Sequence, residues 1–103
     1  MKQKLIELWK TNCEHCEATK SILDELEEEG YQIDRFNIET PDGEEIWTSY
    51  TKEIDENNKK MGYELGYIYT PTIINPKTRT VIAFQDRAPK KDELIALAQG
   101  GEQ

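Results

Sequence analysis

Apolar and polar positions along the chain change period several times, and each change marks an element. Leu5-Ile6-Glu7-Leu8-Trp9 alternates as a strand does, with Ile6 and Leu8 on one face and Leu5, Glu7 and Trp9 on the other. Glu7 is the odd member, a carboxylate among apolar neighbours. From Cys13 or Glu14 the period becomes helical. Ala18, Ile22 and Leu26 recur at four-residue spacing, Leu23 widens the stripe, and Glu25, Glu27, Glu28 and Glu29 fill the outer face. Gly30 is a natural stop, and the acids of that last turn oppose the helix dipole, so this end is expected to fray. Tyr31 to Ile38 reads as a second strand. Tyr31 and Ile33 alternate and the phase then shifts to Phe36 and Ile38, the pattern of a strand covered on both faces, with Arg35 inside it. Strand, helix and strand over this length make a βαβ unit, with parallel strands and a right-handed crossover.

Thr40-Pro41-Asp42-Gly43 combines turn chemistry with a helix start. Ile46, Trp47, Tyr50 and Ile54 follow at helical spacing, which makes Trp47 and Tyr50 core residues first. Asn57-Asn58 weakens this helix, Met61 and Leu65 fit a second short segment, and Gly62 and Gly66 punctuate it. Thr72 to Asn75 predicts a third strand entered through Pro71. Asn75-Pro76-Lys77-Thr78 is a tight turn and Thr80 to Phe84 a fourth strand, so the pair forms an antiparallel hairpin. Asp86 to Ala88 is a loop, Pro89 suits a first helical position, and Leu94, Ile95, Leu97 and Ala98 give a last helix ended by Gly100-Gly101. The expected fold is α/β, β-α-β-α-β-β-α, with a four-stranded mixed sheet flanked by helices in one domain over residues 1–103.

Composition narrows the function. A net charge of −8 argues against nucleic acid and anionic membrane surfaces, which both require basic patches. No apolar run approaches the ~18 residues of a membrane span. Met1-Lys2-Gln3-Lys4 leads into a short mixed run without a signal-peptide core, so a cytoplasmic protein is expected; a monomer is the expected state. The only two cysteines stand in one short motif, unlike a secreted disulfide framework.

That motif, Thr11-Asn12-Cys13-Glu14-His15-Cys16, also holds the only histidine and joins the first strand to the first helix. Cys-x-x-Cys at such a junction is the layout of a dithiol redox site. A helix start offers free N–H groups and partial positive charge, both of which favour a thiolate at Cys13. Cys13, nearer the helix start and expected to be the more exposed, is the candidate nucleophile, and Cys16, one turn on, the resolving thiol. The competing reading is half of a zinc site. A tetrahedral site needs four ligands and the chain offers no further Cys or His beyond His15, so zinc or an iron–sulfur cluster requires a dimer or external thiols. His15, if protonated, favours the Cys13 thiolate, whereas Glu14 and Glu17 oppose it; the alternative for His15 is an exposed helix residue without a role.

Over most of its length the chain resembles the thioredoxin superfamily. The likeness rests on Leu5 to Trp9 followed by Cys13-Glu14-His15-Cys16, on Arg35-Phe36-Asn37-Ile38-Glu39, and on Leu65-Gly66-Tyr67-Ile68-Tyr69-Thr70-Pro71-Thr72. It implies a thioredoxin-like fold in the minimal layout of glutaredoxins and a thiol–disulfide oxidoreductase acting on protein disulfides. The implied site needs no cofactor beyond a redox-active Cys13–Cys16 disulfide, with a reductase as electron donor and glutathione as a candidate co-substrate. By the resemblance, Glu7 lies where thioredoxins bury an acid beneath the site, to relay a proton to Cys16, and Arg35 takes the place of a nearby lysine, so a Glu7–Arg35 pair is expected to keep Glu7 ionised. Pro71 is implied to be cis, setting the Thr70 backbone beside Cys13 to pair with an extended substrate. Tyr67 and Tyr69 flank that proline and are candidates to line the substrate groove, with Trp9 packed under the loop.

Several features depart from the family pattern. Asn12 precedes the motif, and a His before the second cysteine resembles disulfide isomerases and periplasmic oxidases. Gln85-Asp86-Arg87-Ala88-Pro89 lacks the glycines of the segment that holds glutathione in glutaredoxins. Thr40 to Tyr63 is longer than a thioredoxin's second helix needs. The alternatives are a glutathione-dependent, glutaredoxin-like reductase, a thioredoxin-fold adaptor with inert cysteines, and a metal-carrying dimer.

Overall fold

The computed structural model describes residues 3–100. Met1 and Lys2 of the N-terminal run, and Gly101 of the expected Gly100-Gly101 stop, lie outside the described residues. The elements are β1 (Lys4–Trp9), α1 (Glu14–Glu28), β2 (Gln32–Asn37), α2 (Pro41–Ser49), α3 (Thr51–Met61), β3 (Thr72–Asn75), β4 (Thr80–Ile82) and α4 (Lys91–Ala98). The strands form one mixed sheet in the order β2-β1-β3-β4. β1 runs parallel to β2, while the β1–β3 and β3–β4 pairs are antiparallel.

Strand alternation divides the core into two layers. On one face Leu5, Ile33 and Ile73 pack with Leu23 and Leu26 of α1 and with Leu94, Leu97 and Ala98 of α4. On the other, Ile6, Leu8, Ile74 and Val81 meet Tyr50 and Ile54, with Phe36, Ile38, Ile46 and Trp47 partly buried around them. The two-sided pattern read from β2 is realised here, since Ile33 serves one layer and Phe36 the other. No helix among the described residues is long and apolar enough to cross a membrane.

Three expectations need correction. The segment from Thr40 is two helices, making the order β-α-β-α-α-β-β-α, and the break falls at Tyr50 rather than at Asn57-Asn58. The hydroxyls of Thr48, Ser49 and Thr51 donate back to helix carbonyls, an alternative to regular winding. Arg79 Nη2 then donates to the Ser49 carbonyl at 2.8 Å while its guanidinium lies over the Tyr50 ring, which satisfies the exposed end of α2. Asn58, far from ending α3, is buried in it. Second, Pro89 precedes the helix: Glu93 Oε1 accepts the Lys90 N–H at 2.8 Å, so Lys90 is the N-cap of α4. Third, the inner face of α1 is Cys16, Thr19, Leu23 and Leu26, with Ala18 exposed. Thr19 can be fully buried because its hydroxyl donates to the His15 carbonyl at 2.7 Å.

The acidic last turn of α1 draws its cations from other elements. Arg35 of β2 pairs with Asp24 and Glu27, and Lys91 of α4 with Glu25 and Glu29. At the start of α2, Thr40 Oγ1 accepts the Gly43 N–H at 3.1 Å and donates to the Asn37 carbonyl at 2.8 Å. This draws Gly43 so close to the end of β2 that a Cβ would collide with the Asn37 carbonyl oxygen. A Gly43→Ala change must therefore push α2 off the sheet. We expect it to lower unfolding stability by at least about 2 kcal/mol in denaturant titration; a change within about 0.5 kcal/mol of zero would contradict this close approach.

Candidate functional site

The site is assembled where β1 hands over to α1. Parallel pairing sets Trp9 level with Asn37, which carries the two following loops along side by side. Glu39 Oε1 accepts both the backbone N–H of Thr11, at 3.2 Å, and its hydroxyl, at 2.9 Å. These two bonds, the backbone one first, hold the Glu39 carboxyl below its ordinary pKa. The clamp fixes the loop just before Asn12, whose φ of 55° turns the chain into the helix. Thr11 and Glu39 were not anticipated from sequence, although the βαβ reading already placed the two loops together.

Cys13 is the N-cap of α1, in extended conformation, and its Sγ accepts the Cys16 N–H at 3.1 Å. A sulfur thus takes the place usually filled by a serine or aspartate oxygen. Cys13 and Cys16 are joined as a disulfide, with Cα atoms 5.2 Å apart. From across the sheet, Thr70 brings its Oγ1 to 3.3 Å and its carbonyl oxygen to 3.6 Å from Cys13 Sγ. A disulfide sulfur carries no proton, so only the Thr70 hydroxyl can donate there. The Thr70–Pro71 peptide is cis, and Thr72 Oγ1 donates back to the Tyr69 carbonyl at 2.6 Å. Register explains the approach: β3 pairs antiparallel with β1, with Thr72 opposite Leu8, so the residues before Thr72 run past the loop that leaves β1.

The expectation that Cys13 is the more exposed sulfur residue is not met, since both cysteines are 8% exposed. What separates them is the space each one lines. Cys13 borders an open groove of about 290 Å³ shared with His15, Tyr67, Tyr69, Thr70 and Phe84. Cys16 borders a separate, partly open cavity with Glu7, Trp9, Glu17, Lys20 and Arg35. His15, half-buried, therefore stands on the groove side with Cys13. Tyr69 sits at the centre of an aromatic chain, its ring centroid 5.1 Å from that of Tyr63 and 4.7 Å from that of Tyr67.

Glu7 is only 4% exposed and lines the same cavity as Cys16, on the layer of the sheet that α1 covers. The expected pairing with Arg35 needs correction. The two residues are register partners on neighbouring strands, but the Arg35 guanidinium turns to Asp24 and Glu27, at 2.9 and 3.0 Å. Burial therefore dominates, the charge of Arg35 offsets it only partly, and the Glu7 pKa is pushed up from 4.5 to about 7. The carboxyl is not held ionised; it is poised to gain or lose a proton near neutrality. Among the described residues, no group of three or more His, Cys, Asp or Glu side chains is arranged to hold a metal ion.

Comparison of the chain with protein-family models, curated proteins and solved structures finds no match.

Glu7 carries a measurable signature. Its folded pKa of about 7 lies above the ordinary 4.5, so between those values the folded state binds a proton that the unfolded chain has released. Stability from this group is complete below the lower value and is lost as pH rises through the upper one. The gap corresponds to a loss of about 3 kcal/mol. Denaturant titrations of the oxidised protein are expected to show wild type weakening relative to Glu7→Gln by roughly that amount between about pH 4.5 and about pH 8. A pH-independent difference between the two would contradict the assignment.

Proposed function

We propose that the chain is a thiol–disulfide oxidoreductase of thioredoxin-like fold that reduces or exchanges disulfides in protein partners through Cys13 and Cys16. The observation that carries this reading is the disulfide itself, set at the N-cap of α1, in contact with Thr70 of the cis Thr70–Pro71 segment and bordering an open groove. A helix N-terminus favours a thiolate, and the two donors already at Cys13 Sγ, the Cys16 N–H and the Thr70 hydroxyl, suit a sulfur that becomes negative on reduction.

In the reducing direction, the Cys13 thiolate attacks one sulfur of a partner disulfide and the other sulfur leaves as a thiolate, which solvent protonates. A Cys13–partner mixed disulfide remains. Cys16 gives up its proton, attacks Cys13 Sγ and releases the second partner sulfur. Two electrons pass from the dithiol to the partner, and the chain is left with the Cys13–Cys16 bond. Glu7, which lines a cavity with Cys16 and has a pKa pushed up to about 7, takes the Cys16 proton. The Thr70 backbone pairs with an extended substrate segment, while His15 and Tyr69 flank it in the groove. A single copy of the chain suffices, no cofactor is needed beyond the two sulfurs, and a separate reductase or a small thiol such as glutathione returns the electrons. A reducing compartment such as the cytoplasm suits this direction of flow.

Titration against thiol–disulfide buffers is expected to show one reversible two-electron transition of the Cys13–Cys16 pair. Cys13→Ser is expected to lower reduction of a protein disulfide by at least about a thousandfold. Cys16→Ser is expected to accumulate mixed disulfides between Cys13 and partner proteins. Activity retained without Cys13, or no mixed disulfide without Cys16, would overturn the roles, and wholly inert thiols would fit an adaptor instead.

A further inference from the structure

The large apolar side chains left exposed among the described residues are Met61, Leu65 and Tyr67, and all three lie just ahead of Thr70-Pro71. Of these, Tyr67 is 49% exposed and lines the groove that holds Cys13. Its exposure is not that of a loose loop. Asn58 of α3 is 1% exposed and its Nδ2 donates to the carbonyls of Tyr67, at 2.8 Å, and Glu64, at 3.2 Å. Asp55 Oδ1, also on α3, accepts the Gly66 N–H at 3.1 Å. The Asn58 carbonyl accepts the Tyr63 N–H at 2.7 Å, and the Tyr63 hydroxyl accepts the Gln85 N–H at 3.1 Å. Two side chains of α3 thus fix the backbone on both sides of Leu65, and tilted contacts of the Tyr69 ring with those of Tyr63 and Tyr67 hold the rings together. The helix in excess of the thioredoxin pattern thereby braces an aromatic wall beside the reactive sulfur.

Holding an aromatic face rigid in water gains nothing for the free chain, whereas a rigid aromatic anchor loses little entropy when a partner covers it. The groove is small, at the lower limit of small-molecule pockets, and takes one or two side chains rather than a bulky cofactor. The charged side chains on its rim, Lys10 and Glu14, are of opposite sign, so the discriminating surface is the apolar one.

We infer that Tyr67 is a specificity-determining residue, selecting extended polypeptide segments in which an apolar or aromatic residue stands next to the reacting cysteine. This rests on the oxidoreductase reading above and names the class of partner that the same groove takes. The peptide backbone lies along Thr70, its cysteine sulfur meets Cys13, and the neighbouring side chain covers the exposed face of Tyr67.

The test uses the reduced full chain and peptides whose single cysteine carries a chromophoric aromatic thiol as a mixed disulfide. The peptides differ only in the residue beside the cysteine, Phe in one and Asp in the other. We expect the Phe peptide to react about tenfold faster with wild type, the size of discrimination one apolar contact supplies. Tyr67→Ala is expected to bring the ratio of the two rates close to one, and Tyr67→Phe to retain it. A wild-type ratio near one, or a ratio that survives in Tyr67→Ala, overturns the inference. Wild type is run in parallel with a small symmetric disulfide lacking a peptide. Failure of that reaction overturns the oxidoreductase reading itself, so the two failures are told apart.

Discussion

Cys13 caps α1 with its own sulfur, accepting the Cys16 N–H at 3.1 Å while Thr70 Oγ1 stands 3.3 Å away. Three separate parts of the chain meet at that atom: the loop leaving β1, the first turn of α1 and the residues entering β3. None of the three is positioned by short-range sequence alone. Their meeting depends on β1 lying between β2 and β3, with Thr72 opposite Leu8. A one-residue slip of β3 would turn Ile73 and Ile74 to the wrong layers and carry Thr70 away from the sulfur. The hydrophobic layering and the sulfur geometry are therefore one constraint, and the core holds the register that the site needs.

The two sulfurs differ by what surrounds them, not by how much of each is exposed. Cys13 opens to a groove rimmed by aromatic rings and the Thr70 backbone, and Cys16 opens to a cavity shared with a buried carboxyl. The energetic asymmetry follows. Desolvation raises Glu7 toward neutrality, and Arg35, whose charge opposes that rise, is paired with two carboxylates of α1. It steadies the acidic end of a helix, and with its hydrogen bonds made to Asp24 and Glu27 its charge offsets the burial of Glu7 only in part.

Much of this was legible in the residues. Alternation in β1 predicts the two layers and puts Glu7 on the α1 side, the turn at Asn75 predicts the hairpin, and Thr40-Pro41 predicts the start of α2. The α/β class and the four-stranded mixed sheet follow from these. What escaped were features whose cause lies far off in sequence. Thr19 takes an apolar position because a hydrogen bond satisfies it, and no hydropathy pattern reports that. The break at Tyr50 depends on Arg79, and Asn58, which resembles a helix breaker, is a brace for residues up to nine positions on. At the site, the cysteine pair, Thr70-Pro71 and the neighbouring tyrosines were all readable as candidates. The direction of the Arg35 side chain was not, because its choice among Glu7, Asp24 and Glu27 depends on how α1 lies across β2.

Thiol exchange by this chain depends on the electrostatic environment of one sulfur, and the most direct measurement is the pH profile of alkylation of the reduced chain, with each cysteine followed separately by mass. Cys13 is predicted to react first, with a midpoint clearly below the ~8.5 of a free cysteine thiol. A Cys13 midpoint at or above that value, or Cys16 reacting ahead of Cys13, would contradict the account.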